Sequence, residues 1–173
     1  GIGRDETAST SSWQLFYEGE VFEGKFLAQA GYAYAQNVGL TIGTDKAAAE
    51  AGDTRHGYSL AAAWQPADAG FIPSVSGGWS VSDPDDSDED IQGWYVGLEW
   101  SDVFVEGNSF GTAIGQAPKV SDDDYNSMWE IFYKFVVTDN ITITPTYFII
   151  DEYSGSLTSD YVQGAYVKTT FTF

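Results

Sequence analysis

The chain has 173 residues, which is enough for one domain with a sizeable core, and it has no cysteine, which excludes a disulfide framework. Its formal net charge is −19, with 7 Lys+Arg against 26 Asp+Glu, which excludes a general nucleic-acid binder because phosphate groups are neutralised by cations. No stretch approaches the ~18 apolar residues of a transmembrane helix. Aromatic residues make up 16% of the chain and glycine occurs 19 times, a composition typical of a β protein.

Apolar residues alternate with small or polar ones along most of the chain, and this period of two predicts half-buried strands. In the clearest case Trp129, Ile131 and Tyr133 share one face, and Glu130 and Lys134 share the other. The pattern predicts an all-β, antiparallel fold that forms a single unit over 1–173. In chain order the predicted strands are 12–21, 25–36, 56–64, 71–82, 91–100, 110–117, 128–137, 141–149 and 160–173.

The two predicted faces differ in chemistry, as the strands of a transmembrane β-barrel do. Large aromatic residues recur towards strand ends on the apolar face and predict a membrane girdle of Trp13, Trp64, Trp79, Trp94, Trp100, Trp129, Phe171 and Phe173. The other face predicts a wet lumen, with pore-lining candidates Glu18, Glu20, Glu99, Glu130, Lys134, Tyr166 and Lys168. A closed sheet is the only strand arrangement that satisfies its backbone polar groups within lipid.

The predicted connections alternate in length, which is typical of outer-membrane barrels with short periplasmic turns and longer external loops. Residues 22–24, 66–70 and 138–140 are tight, residues 37–55, 83–90, 118–125 and 152–159 are long, and 102–109 is intermediate. The acidic clusters within 83–90 and at Asp122–Asp124 then lie outside the cell. There they should raise the concentration of cations at the mouth of the pore. A periplasmic Phe173 and nine strands place Gly1 outside the cell. Because single-chain bacterial barrels have an even number of strands, we expect a fragment of a longer barrel.

Motifs in residues 107–173 resemble the C-terminal half of cyanobacterial porins of the carbohydrate-selective (OprB-type) family, which are often labelled iron-uptake porins. They are Gly107-Asn108, Gly115-Gln116-Ala117-Pro118-Lys119-Val120, Trp129–Phe135, Thr138–Pro145 and Lys168–Phe173. The resemblance is weaker over 12–106, and none is found over 37–55. It implies a 16-stranded barrel of which this chain supplies the last eight or nine strands. It also implies passive transport of small solutes and ions across the bacterial outer membrane, without enzymatic activity. The carbohydrate or iron of the family's name does not carry over as a specificity, because no solute-contacting motif is matched residue by residue.

Family membership implies an N-terminal surface-layer-homology domain that attaches the protein to the cell wall, and this chain does not contain one. The sequence leaves open whether the protein forms a homo-oligomer. The expected partners are therefore outer-membrane lipid, small solutes and inorganic ions, with no cofactor. Asp85, Asp86 and Asp88 are weak candidates for Ca²⁺ or Mg²⁺, because carboxylate oxygens suit these ions but the segment lacks EF-hand spacing. His56 is the only histidine, which makes a transition-metal site a remote alternative.

Two other readings of the sequence are alternatives. A secreted β-jelly-roll glycosidase would use Glu99 and Glu130 as its two carboxylates and would bury Trp94, Trp100 and Trp129 in a core or cleft. A small, complete eight-stranded barrel would act as an anchor or adhesin with a filled interior. Small residues on the inner face, such as Gly93 and Gly97, fill a narrow lumen poorly and favour the wide pore.

Overall fold

A computed structural model describes residues 8–39, 45–49, 51–68, 70–120, 126–151 and 161–172. The described residues form strands and one short helix, and each strand runs antiparallel to the next. The elements are β1 (Ser9–Val21), β2 (Gly24–Gln36), α1 (Asp45–Ala49), β3 (Thr54–Pro66), β4 (Ser74–Pro84), β5 (Ile91–Ser101), β6 (Ser109–Lys119), β7 (Ser127–Thr138), β8 (Ile141–Ile150) and β9 (Val162–Phe171).

The strands form one nine-stranded sheet in the order β1 to β9, so that every strand pairs with its neighbours in the chain. The predicted all-β, antiparallel fold is therefore confirmed. Within the described residues the sheet is open, because β1 pairs only with β2 and β9 pairs only with β8. Both outer edges carry backbone N–H and C=O groups that this sheet leaves without a strand partner.

The observed bounds of the fourth and the last strand differ from the predicted ones. The fourth strand was predicted to begin at 71, but β4 begins at Ser74. Pro73 precedes it, and proline has no backbone N–H to donate to a neighbouring strand. Phe71 and Ile72, which looked like strand residues, lie exposed in the connection. The last strand is Val162–Phe171 rather than 160–173, and Phe173 lies outside the described residues.

The connections lie alternately at two ends of the sheet. At one end, the short-link end, are 22–23, 67–73, 102–108 and 139–140. At the other, the long-link end, are the connections that join β2–β3, β4–β5, β6–β7 and β8–β9. The predicted alternation in length is wrong in one respect, because 67–73 is no shorter than 85–90. The acidic residues of the β4–β5 connection do lie at the long-link end, and Asp122–Asp124 lie outside the described residues.

Two local features depart from regular strand geometry. The β1–β2 hairpin has a two-residue turn in which Phe22 and Glu23 have φ of 50° and 58°, the left-handed conformation that glycine or asparagine normally adopts. In β5, the register shifts between Gln92 and Trp94. A Cβ added to Gly93 at this point would lie 3.0 Å from the nitrogen of Pro118, so glycine allows β6 to approach closely.

Few apolar side chains are buried in the described part of the chain. The buried hydrophobic residues are Ala47, Ala51, Ile91 and Val120, which form one cluster. The cluster lies at the long-link end, where the connection containing α1 folds over the adjoining ends of β5 and β6. A water-soluble domain of this size normally buries most of its apolar surface, whereas side chains such as Leu15 and Leu60 are more than half exposed on this sheet. No helix among the described residues has the length and apolar character to cross a membrane.

Candidate functional site

The strand register divides the side chains of the sheet into two chemically different faces. Directly opposed residues of an antiparallel pair point to the same side, so the register follows one face across many strands. On the first, the tryptophan face, Trp64 opposes Val75, which opposes Leu98, and Leu98 opposes Thr112. On the second, the polar face, the same tracing gives Ser76, Gly97, Ala113, Glu130, Phe148 and Gly164.

All six tryptophans lie on the tryptophan face. Those at positions 13, 79, 94 and 129 are between 37% and 63% exposed, with no second sheet over them in the described residues. Trp64 and Trp100 lie near the short-link end, where their indole N–H groups donate to the backbone oxygens of Val21 and Phe71. Trp79 lies in the middle of β4, so the predicted location at a strand end is wrong for this residue. Phe171 also lies on this face.

The polar face carries every residue that the sequence predicted for the lumen. The register puts Glu130 and Lys134 of β7 and Tyr166 and Lys168 of β9 on this face. The predicted residues of the other strands, Glu18, Glu20 and Glu99, share it. Most of the charges are at the short-link end of their strands. Glu130 lies nearer the middle of the sheet, and Tyr166 is also central.

Charged residues meet in a hollow of about 730 Å³ on the polar face, near the short-link end. The Ser109 hydroxyl donates to Glu99 Oε1 at 2.5 Å, and Lys134 Nζ lies 3.9 Å from the same oxygen. Lys25 lines the hollow and forms an ion pair with Glu18 at 2.9 Å. Glu130 lines it too, so the two glutamates that a glycosidase would use do share one hollow.

Three large aromatic side chains on the polar face fold onto glycines of neighbouring strands. Phe132 lies over Gly111, Phe148 over Gly164, and Tyr95 over Gly78. In each case the ring covers the glycine that opposes it on the next strand. The alternation of residues along each strand places these rings on this face. It does not show that the rings fold onto glycines. The face is therefore less polar than expected.

A second hollow, of about 800 Å³, lies further towards the long-link end of the polar face. Its lining runs from Gln29 of β2 to Phe148 of β8. A hollow shared by so many neighbouring strands indicates that the sheet is curved, with its polar face concave. The small and charged residues therefore lie on the concave side of the sheet, and the tryptophans lie on the convex side.

The long-link end is held by contacts that the sequence did not predict. Arg55, which is 9% exposed on the polar face, donates to the backbone oxygens of Val38 and Gly39 at 2.5 and 3.3 Å. These bonds tie the start of the β2–β3 connection to the sheet. On the opposite face, the Tyr32 hydroxyl lies 2.8 Å from His56 Nδ1, and Trp13 stacks on Tyr32.

The weak metal candidates are not gathered into a site in the described residues. Asp85 Oδ1 lies 3.7 Å from His56 Nε2, and both side chains are partly exposed. Asp86 and Asp88 lie in the same connection. Across the described ranges, no three side chains of His, Cys, Asp or Glu are grouped closely enough to hold a metal ion.

Comparison with known proteins shows a similarity to part of a longer protein. Over 126 residues the chain is 32% identical to an uncharacterized protein, alr4550, of Nostoc sp. strain PCC 7120. The matched region is 67% of this chain and 21% of that protein, so the chain spans about a fifth of the length of the relative it matches. No family model matches the chain. No solved structure matches it either.

Proposed function

We propose that this chain forms part of the wall of an outer-membrane porin, through which small hydrophilic solutes and inorganic ions diffuse passively. The observation that carries the proposal is the division of one curved sheet into two faces. All six indoles lie on the convex face, and the predicted lumenal charges line the concave one. This is the alternation of a strand between lipid and water.

The surroundings of the tryptophan face support a membrane. Side chains such as Leu15, Leu60 and Val167 are more than half exposed there. At the short-link end, Phe22, Phe71 and Phe104 are each at least 90% exposed at the tips of three connections. Aromatic side chains favour the boundary between hydrocarbon and water, and Trp64 and Trp100 lie at the same end of the sheet. In water, such a surface would promote aggregation.

The open edges support a larger barrel. Backbone groups in lipid require partners, so β1 and β9 need further strands. Sixteen strands enclose an aqueous channel, whereas eight close around packed side chains. We place the protein with the cyanobacterial OprB-type porins on the motifs of 107–173, and the match to a longer cyanobacterial protein agrees with that origin. Attachment to the cell wall, if present, belongs to another part of the whole protein.

The charge of the chain supports a preference for cations. The formal net charge is −19, and acidic residues are concentrated in the β4–β5 connection. A mouth lined with one sign of charge raises the local concentration of ions of the opposite sign. Inorganic cations should therefore pass more readily than anions, and this preference should weaken at high salt as the charges are screened.

The test is a planar lipid bilayer recording of the full-length protein. We expect stepwise conductance and, under a KCl gradient, a reversal potential of the sign for cation preference. If the folded and inserted protein does not conduct, the proposal that it is a porin is refuted. Conductance with a clear preference for anions would refute only the predicted preference for cations. A glycosidase, by contrast, would cleave glycosides without conducting, and its tryptophans would lie on the same side as its carboxylates.

A further inference from the structure

The second hollow of the polar face combines an apolar wall with one charged side chain. Among the described residues that line it, Glu130 is the one with a formal charge. Met128, Phe148, Tyr95 and Pro118 supply apolar surface around it. The hollow, of about 800 Å³, is large enough for a ligand with a ring and several further heavy atoms.

Space is open beside the Glu130 carboxylate because its neighbours are small or turned away. Its opposed residues are Ala113 and Phe148. The Phe148 ring lies over Gly164, where an added Cβ would be 2.7 Å from ring atom Cζ. On the other side the Tyr95 ring lies over Gly78, where an added Cβ would be 2.5 Å from Cε1. Both rings therefore fold away from Glu130, onto β9 and β4, and leave the space beside its carboxylate at Ala113 open.

The carboxylate is also available for a ligand. Glu99 is held by Ser109 and Lys134, and Glu18 is paired with Lys25. For Glu130, by contrast, the described part of the chain supplies neither a hydrogen bond nor an ion pair to the carboxylate. A cation that enters the hollow can therefore pair with this carboxylate without displacing a lysine.

We propose that Glu130 and the apolar walls of the second hollow bind an organic monocation that has an apolar body, such as an aryl- or alkylammonium ion. The ammonium group lies against the carboxylate, which supplies the opposite charge. The apolar body is buried against Met128 and Phe148. An inorganic cation would gain nothing from those walls, and an anion would be repelled. The inference rests on the proposed function only in that the polar face must be open to water.

The test is isothermal titration of the full-length protein in detergent micelles with benzyltrimethylammonium chloride. Benzenesulfonate serves as an anion of similar shape. We expect the cation to bind and Glu130→Gln to weaken it at least ten-fold, because a charge-assisted contact is lost while the shape is kept. Glu18→Gln, on the same face but outside this hollow, should leave the affinity unchanged. Ala113→Leu, which fills the floor and keeps the charge, should weaken binding as well.

The inference is overturned if the wild-type protein does not bind the cation, if benzenesulfonate binds as well, or if Glu130→Gln binds as tightly as the wild type. These outcomes are distinguishable from failure of the porin. A channel that conducts in bilayers but does not bind benzyltrimethylammonium overturns only this site. Binding in micelles that depends on Glu130, without conductance in bilayers, supports the binding site and refutes the proposed channel.

Discussion

A charge placed on one face of β3 should destabilise the protein far more than the same charge placed one residue further along. Leu60 and Ala61 lie near the middle of β3 and point to opposite faces, Leu60 to the tryptophan face and Ala61 to the polar face. Lysine at Leu60 would enter lipid, whereas lysine at Ala61 would enter the concave side, where its opposed neighbours are Gln29 and Gly78.

The structure makes the expected magnitude diagnostic. Leu60 is 58% exposed, so if the tryptophan face met water, Leu60→Lys would change the unfolding free energy by only about 0.5 kcal/mol. If it meets hydrocarbon near the bilayer midplane, the cost is about 2–4 kcal/mol. That corresponds to a change of roughly 30-fold to 1,000-fold in the folding equilibrium constant. Ala61→Lys should stay near the smaller value in both cases.

The measurement is reversible urea unfolding of the full-length protein in lipid vesicles, with Leu60→Lys and Ala61→Lys as a matched pair. The difference between the two variants should disappear in micelles of a detergent whose headgroups can solvate the lysine. Equal, small effects of both variants in vesicles would contradict the assignment of the tryptophan face to lipid. A larger cost at Ala61 would contradict the assignment of the two faces altogether.

Three further changes test local features by the same unfolding assay. Glu23→Gly should stabilise the β1–β2 hairpin by about 1 kcal/mol, because glycine adopts its φ of 58° without steric cost, and an unchanged midpoint would contradict this. Gly111→Ala should cost about 1–3 kcal/mol, because the new Cβ would be 2.2 Å from Phe132 Cζ, and it should cost much less in a Phe132→Leu background. Asn108→Ala should cost about 1–3 kcal/mol, because the 6% exposed Asn108 accepts from the Val136 N–H at 2.9 Å and donates to the Tyr133 hydroxyl at 3.3 Å, and an unfolding curve equal to that of the wild type would rule this out.

The strands and their faces were predictable because a strand repeats every two residues. The pattern that groups Trp129 with Ile131 and Tyr133 needs no knowledge of neighbouring strands, and the register bears it out. The connections were predicted less well, since their length depends on where pairing stops. Apolar Phe71 and Ile72 resembled the start of a strand, but Pro73 delays pairing until Ser74.

The helix α1 had a local signal that the prediction left unused. Its sequence, Asp-Lys-Ala-Ala-Ala, is rich in the residue with the highest helix propensity. What the helix packs against had no such signal. Ala47 and Ala51 are buried with Ile91 and Val120, which lie 40 or more residues further along the chain. Contacts at this separation are set by the order of strands in the sheet.

The sequence by itself determined the number of strands, their alternating faces and the side on which each charge lies, because these follow from covalent geometry and local hydrophobicity. Tertiary structure decided which charges are paired. Glu99 and Lys134 belong to strands separated by β6, and they meet only because the sheet curves and Ser109 lies between them. The same assembly leaves space open beside the Glu130 carboxylate, because the Phe148 ring folds away from it onto Gly164 of β9, an arrangement that no single strand encodes.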